Sequence, residues 1–457
     1  MKIISKNPSK GFEVLGEVEE TSKEEVLSKL DLAKSIQKEW KNVELINRIE
    51  IIRDLYTSFE HNIEKIADLI SKEMGMPIAQ SKDEVESGLN YLSWYLDNAE
   101  KYISPEITFE NDKEVHKVFY EPKGIVASIT PWNYPFSNLV WQSFQNLIVG
   151  NVVINKPDPN TPLVYKLLEE IIDNSTLPKG VLQFVYGGKE IGQYLVSLNI
   201  DMICFTGNTK TGETLYKIAA EKMIPILMEL GGPAPGIVFE DADIENIIDS
   251  IYFNRFLNCG QICDGLKRLI VHENSIDEVT ERLKVIVESQ TIGEAIKEET
   301  TIGPLVNEKQ LNTLLEQYND AVAKGAKVIC GGKQPKDLNG NYFEPTLLTN
   351  ITKDMRVWKE EVFGPILPII SFKTIEEAIE LANDTIYGLG GYVFTSNKET
   401  FTKVSKEIKT GMVAYNNLNY LTPSDPFGGV KKSGFGRNHS KFGFQELCNI
   451  KVITFEK

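Results

Sequence analysis

"FNRFLNCGQICDGLKR", residues 253–268, sets two cysteines four residues apart, Cys259 and Cys263, with Gly260 and Gln261 between them. A free thiol titrates near pH ~8.5, so little of it is thiolate at neutral pH unless its surroundings help. Cys263 has such surroundings: Gly260 lets backbone approach closely, Gln261 adds polarity, and Asp264 and Lys267 follow. The other three cysteines differ. Cys204 in "DMICFTG" and Cys330 in "KVICGG" lie inside strand patterns and read as buried, inert thiols, and Cys448 has no chemical neighbours. Five is an odd number, and no CxxC pair occurs, so a disulfide framework is not expected. A thiol protease would need a histidine base, and neither His272 nor His439 lies in a setting that supplies one.

On both sides of this segment the chain alternates between strand-like and helix-like stretches. From residue 124, "GIVASIT", "NVVINKP", "VLQFVYG" and "DMICFTG" are short β-branched runs, most of them followed by a turn and a helical stretch. Such alternation predicts a parallel sheet with covering helices, in a plausible nucleotide-binding half. After "MELGG", 228–232, a second alternation begins with "GIVFED" and "RLIVHE" and ends at "GMVAYNN". Earlier in the chain, "TSKEEVLSKL" opens with a capping box of Ser22 and Glu25, and a helical pattern from about 46 to 74 stops at Gly75 and Pro77. "TFENDKEVHKVFYEP", 108–122, alternates as a hairpin leaving the main sheet, and "NIKVITFEK" is a terminal strand in need of a partner edge.

Composition narrows the function classes. At 457 residues the chain predicts two or three domains. The excess of 65 acidic over 49 basic side chains, a net charge of −16, would repel a nucleic-acid backbone. No uncharged apolar run is long enough to span a membrane or to serve as a signal peptide, so a cytoplasmic enzyme is expected. Four scattered histidines without HxxxH or HExxH spacing argue against a metal site.

Several polar positions could carry chemistry. Glu229 follows an apolar run and precedes two glycines, which suits either a carboxylate capped by backbone amides or a general base. Asn133 in "TPWNYP" is held between prolines and is either a turn residue or a rigid amide donor. "FTGNTKTG", 205–212, has the strand, glycine turn and helix start that can hold phosphate on amide groups. "KEEVFGP" and "PFGGVKKSGFGR" are glycine-rich loops without a chemistry of their own.

Together and in this order, "PWNYP", "KPDPNTP", "FTGNTKTG", "MELGGPAPG", "FLNCGQIC", "EEVFGP" and "PFGGVKKSGFGR" resemble the motifs of the aldehyde dehydrogenase superfamily, from about residue 20 to the C-terminus. The ending is most like the short-type bacterial succinate-semialdehyde dehydrogenases. The resemblance implies an α/β fold: a Rossmann-like cofactor domain over 1–104 and 124–231, an α/β catalytic domain over 232–430, and oligomerisation segments over 105–123 and 440–457. It implies a homodimer or homotetramer, with NAD or NADP as cofactor and a small aldehyde as substrate. It assigns the nucleophile to Cys263, the general base to Glu229 and the oxyanion donor to Asn133. For the cofactor it implies Lys156 at the adenosine ribose, Glu361 at the nicotinamide ribose with Phe363 nearby, and contacts from Trp132, Gly207, Asn208 and Leu230.

Three positions depart from that pattern. Pro159 stands where NAD-preferring members often carry a glutamate that binds both ribose hydroxyls, so NADP becomes admissible, although Asp158 next door could oppose its phosphate. Gln142 and Pro233 each replace a common lysine. Arg255, eight residues before Cys263, could read a substrate carboxylate such as that of succinate semialdehyde, or could form an interdomain salt bridge. Cys259 is either a small apolar filler or a resolving thiol that protects Cys263 from overoxidation. A relative that passes the acyl group to CoA, and a non-enzymatic relative, are the rival readings; Glu229 argues against the first and the set of three against the second.

Overall fold

The computed structural model describes residues 1–457. The β-branched runs between residues 125 and 230 line up as a six-stranded sheet in the order Gly434–Phe435, Ile226–Leu230, Met202–Gly207, Ile125–Ile129, Val152–Lys156, Leu182–Phe184. Val152, Val153 and Ile154 are fully buried, as expected where helices cover both faces of a parallel sheet. The chain starts at Ile125–Ile129, winds outward one way and then the other. In such doubly wound sheets the ligand crevice opens beyond the carboxyl ends of the strands where the order reverses. Asn133, Lys156, Gly207 and Glu229 all lie at or just past those ends.

One strand of this sheet comes from elsewhere. Gly434–Phe435, in the "KKSGFGR" loop, pairs antiparallel with Ile226–Leu230 and sets Gly434 opposite Glu229. A Cβ at Gly434, whose φ is +127°, would overlap the Met228 carbonyl, so the glycine is what lets the two backbones meet. A glycine-rich loop near the end of the chain thus fixes the edge strand that carries the candidate base.

The second alternation forms a seven-stranded sheet, Lys327–Cys330, Thr346–Thr349, Ile366–Phe372, Leu266–His272, Ala234–Val238, Tyr392–Phe394, Ala414–Tyr415. All its pairings are parallel except the outermost one at Lys327–Cys330. The terminal strand finds its edge: Cys448–Glu456 runs antiparallel to Glu114–Pro122, which pairs on its other side with Glu106–Glu110. Ile107, Phe109, Ile450 and Val452 on this small sheet are exposed. No helix is long and apolar enough to cross a membrane.

The helical region differs from expectation in two respects. The pattern over 46–74 forms two helices, Leu45–Glu60 and Ile63–Met74. Asn62 is the reason: its side-chain Nδ2 takes the Ser58 carbonyl at 2.8 Å, the acceptor its own backbone N–H would use in a continuing helix. The second helix ends at Gly75 in the left-handed region (φ 85°), and the capping box of Ser22 and Glu25 is formed from both sides. The first twenty residues, to which no element was assigned from sequence, form a hairpin of Lys2–Asn7 and Glu13–Glu19.

Glu73 ties this hairpin to the cofactor sheet's helices. Its buried carboxylate accepts from Ser5 Oγ at 2.5 Å and from the Leu163 and Val164 N–H groups at 2.9 and 2.7 Å, at the start of helix Pro162–Asp173. Truncation would strand two amide donors. Glu73→Ala is expected to lower unfolding stability by about 2–3 kcal/mol, read as a shift in the urea midpoint at unchanged slope.

Candidate active site

Helix Ile244–Phe256 delivers the chain to the turn that carries the two sulfurs, and there helical geometry stops. Asn258, Cys259 and Gly260 have φ of 51°, 55° and 72°, three left-handed residues in a row, so Cys259 and Cys263 do not stand one helical turn apart. Left-handed backbone at a non-glycine residue is strained and persists where surroundings over-determine it. They do so here. Asn258 donates through Nδ2 to the Asn133 carbonyl at 2.9 Å, and its N–H meets Gln80 Oε1 at 2.8 Å. Gln261 donates to the Asn258 carbonyl at 3.1 Å and accepts from the Val306 N–H at 3.0 Å.

The turn separates the sulfurs. Cys259 is fully buried in the apolar core of the second sheet, where burial pushes its thiol up to about 12. Cys263 is half-buried and reaches open space on two sides. One cavity, of about 670 Å³, runs over the carboxyl ends of the cofactor sheet; the other, of about 290 Å³, opens on the opposite side. Four residues line both: Asn133, Thr206, Glu229 and Cys263. The three residues singled out from sequence therefore meet where the cavities join.

Glu229 is buried with neither carboxylate oxygen hydrogen-bonded. Burial holds its carboxyl well above the usual range, with the Arg437 charge opposing. An unpartnered carboxylate facing a cavity is suited to take a proton rather than to cap a turn. Asn133 Nδ2 donates to the Gln261 carbonyl at 3.0 Å, which orients the amide and leaves its second N–H free. The Cys263 thiol is likewise held high, chiefly by burial and then by the Asp264 charge, with Lys267 opposing.

The larger cavity fits a dinucleotide. Lys156, Pro159, Gly207 and Asn208 line one end; Trp132, Leu230, Glu361 and Phe363 line the end nearest Cys263. Helices Lys189–Ser197 and Thr209–Lys222 both start at it, with Gly188 and Asn208 as caps, and offer amide groups for a pyrophosphate. Asp158 lines the same end of the cavity beside Pro159, and its Oδ1 accepts from the Asn160 N–H and side chain (2.9 and 2.6 Å), so a carboxylate stands where a 2′-phosphate would approach. Gln142 donates to Thr206 Oγ1 at 2.6 Å, from beneath the junction.

Two residues change role or gain one. Arg255 does not face the substrate side. It is fully buried, and its guanidinium donates to the backbone carbonyls of Ile366 (2.9 and 2.7 Å), Val362 (3.3 Å) and Gly364. Arg255 stands in the last turn of helix Ile244–Phe256, directly before the sharp reversal, and its side chain enters the second sheet; Arg255 is a structural pin and no reader of substrate. Burial brings its pKa down to about 9. Lys267, unremarked in the sequence except as polarity, is the reverse case. Its side chain is fully buried, and Nζ donates to the carbonyls of Gly232 (2.9 Å) and Cys263 (2.7 Å) and to Glu361 Oε1 (2.5 Å). Nothing in the spacing announces it, because its three partners come from three separate loops.

A doubly wound cofactor sheet joined to a second α/β sheet, with a thiol and a buried carboxylate at the seam, defines the class: a pyridine-nucleotide-dependent oxidoreductase. The chain belongs to the aldehyde dehydrogenase family, whose sequence profile matches residues 1–453. It is 33% identical over 98% of its length to a probable NADP(+) succinate-semialdehyde dehydrogenase of Sinorhizobium fredii, covering 91% of that protein. It is 34% identical over 99% of its length to peroxisomal aminoaldehyde dehydrogenase 1 of Pisum sativum, covering 92% of it. Among solved structures, a betaine aldehyde dehydrogenase of Staphylococcus aureus in complex with NAD+ superposes with a TM-score of 0.95 at 30% identity, over 100% of this chain and 94% of that one. The fold is that of the family, and the cofactor is NAD or NADP.

Lys267→Met is expected to release Glu361 and raise the dissociation constant for NADH or NADPH at least tenfold, read by nucleotide fluorescence. Arg255→Ala is expected to cost about 3 kcal/mol of stability and to lower kcat/KM for butanal and succinate semialdehyde by the same factor.

Proposed function

We propose that the protein oxidises a small aldehyde to the free carboxylic acid through a covalent adduct on Cys263. The observation that carries this reading is the meeting of Cys263, Glu229 and Asn133 at the junction of the two cavities. The aldehyde enters from the smaller cavity, and the Cys263 thiolate adds to its carbonyl carbon. The developing oxyanion is met by the free Asn133 N–H and the Cys263 backbone N–H; one such donor is typically worth ~3–4 kcal/mol. Lys156 and Glu361, which line the larger cavity, would hold NAD(P) there, and the nucleotide would supply the acceptor for the hydride that leaves the carbon. The resulting thioester is opened by a water molecule whose proton Glu229 takes, releasing the acid and the thiol. Transfer of the acyl group to CoA would need no such base, so the free Glu229 carboxylate supports hydrolysis.

For the particular aldehyde, succinate semialdehyde keeps the support of the C-terminal motif and of the Sinorhizobium relative's name, but loses that of Arg255. Homo-oligomerisation through the three-stranded sheet is supported by its exposed apolar residues. Reducing, cytoplasmic surroundings are supported by five free cysteines. Cys259 is proposed as core packing, since it lines neither cavity.

Cys263→Ala is expected to abolish NAD(P)H formation from any aldehyde, and Glu229→Gln to give one burst per active site followed by slow turnover. Both groups act deprotonated and both are held above their ordinary values, so activity is expected to be lost as pH falls and to rise into the alkaline range. Full steady-state turnover in Glu229→Gln would remove the base assignment. In light scattering, Ile450→Glu with Val452→Glu is expected to reduce the mass to that of a smaller assembly.

A further inference from the structure

Resting on that reading, the walls of the smaller cavity say which aldehydes fit. Its four charged lining residues are all acids: Asp83, Glu84, Glu229 and Asp264; no lysine, arginine or histidine lines it. Asp83 is exposed at the mouth, while Glu84 and Asp264 are buried. Glu84 uses one carboxylate oxygen on the Ser137 N–H at 2.7 Å, and its other oxygen has no partner. Asp264 is 3% exposed; Oδ1 lies 3.7 Å from Cys263 Sγ, and Oδ2 has no partner. Lys267, the cation whose charge reaches Asp264, has all three donors committed to Gly232, Cys263 and Glu361. Aromatic rings line the same space. The rings of Tyr91 and Trp141 lie 5.2 Å apart, and those of Trp141 and Phe427 lie 5.6 Å apart; Tyr134 and Tyr392 also line the space.

A buried carboxylate with an empty valence beside aromatic faces suits a cation, which ring faces attract and a carboxylate pairs. A substrate carboxylate placed there would meet like charge with no counter-ion from this chain. We propose that the substrate carries a protonated amine a few carbons from its carbonyl, and that Asp264 is the residue that selects it. Because Asp264 touches the nucleophilic sulfur, the selected charge lies close to the reacting carbon, which favours a short chain. The substrate's ammonium would also offset the Asp264 charge that helps hold the Cys263 thiol protonated, so that binding itself would favour the thiolate.

The test compares three aldehydes with the same CH2–CH2–CHO arm: 3-aminopropanal, butanal and succinate semialdehyde, ending in NH3+, CH3 and COO−. With the wild-type enzyme, kcat/KM is expected to fall in that order, by at least tenfold between the first two. Asp264→Asn is expected to reduce the ratio of 3-aminopropanal to butanal at least tenfold; the ratio within one variant cancels any general loss of activity. Inhibition of butanal oxidation by 3-amino-1-propanol and by 1-butanol supplies a measurement on the wild type alone, with tighter binding expected for the amine. Succinate semialdehyde equal to or better than butanal, a ratio unchanged in Asp264→Asn, or equal inhibition by the two alcohols overturns the inference while leaving aldehyde oxidation standing. Failure of all three aldehydes with both NAD and NADP overturns the proposed reaction itself.

Discussion

The ammonium group of Lys267 is the contact on which the rest of the site depends. A buried cation is tolerated where its donors are all satisfied and an anion stands opposite. Here that requirement draws together three loops that no local rule would bring near one another. The Gly232 carbonyl follows the strand that carries Glu229, the Cys263 carbonyl belongs to the cysteine turn, and Glu361 belongs to the loop at the inner end of the larger cavity. Each loop places one candidate functional group, so one side chain sets their mutual distances. Glu361 is held further by the Gly232 N–H at 3.1 Å, and a Cβ at Gly231 would overlap its carboxylate.

Around that centre, the strained turn at Asn258–Gly260 is kept by polar side chains rather than by apolar packing. Arg255 ties it from below to the carbonyls of residues 362–366, while Gln80, Gln261 and Asn258 tie it from the side. Because Asn258 also holds the Asn133 backbone carbonyl, Asn133 and the turn before Cys263 share a support. Two buried cations thus do different work in one region: Lys267 joins loops of the two sheets, and Arg255 fastens a turn within the second.

The neighbourhood of Cys263 is unusually acidic. Burial above all, and then the charges of Asp264, Glu361 and Glu229, raise its thiol, with Lys267 opposing them. Such surroundings disfavour the thiolate, the form in which a cysteine oxidises and reacts.

Much of this was legible in the chain itself. Parallel strands, the hairpin at 106–122, the terminal strand and the capping box at Ser22 follow from β-branched runs, alternation and cap chemistry, which act over a few residues. Strand ends followed by glycine or proline turns marked Glu229 and Asn133 as candidates, but their roles, that of Cys263 and the cofactor-lining residues were legible only through the resemblance to aldehyde dehydrogenases. What the sequence could not decide were contacts between distant segments. The inward direction of Arg255 depends on three left-handed residues that follow it; the role of Lys267 depends on partners 35 residues before it and 94 after it. The break at Asn62, the Gly434–Phe435 edge strand and the charge of the smaller cavity likewise arise from which surfaces meet. Local patterns determine which elements form, and tertiary packing decides which buried charges must find one another, because an unpaired charge in the interior costs more than any local preference can supply.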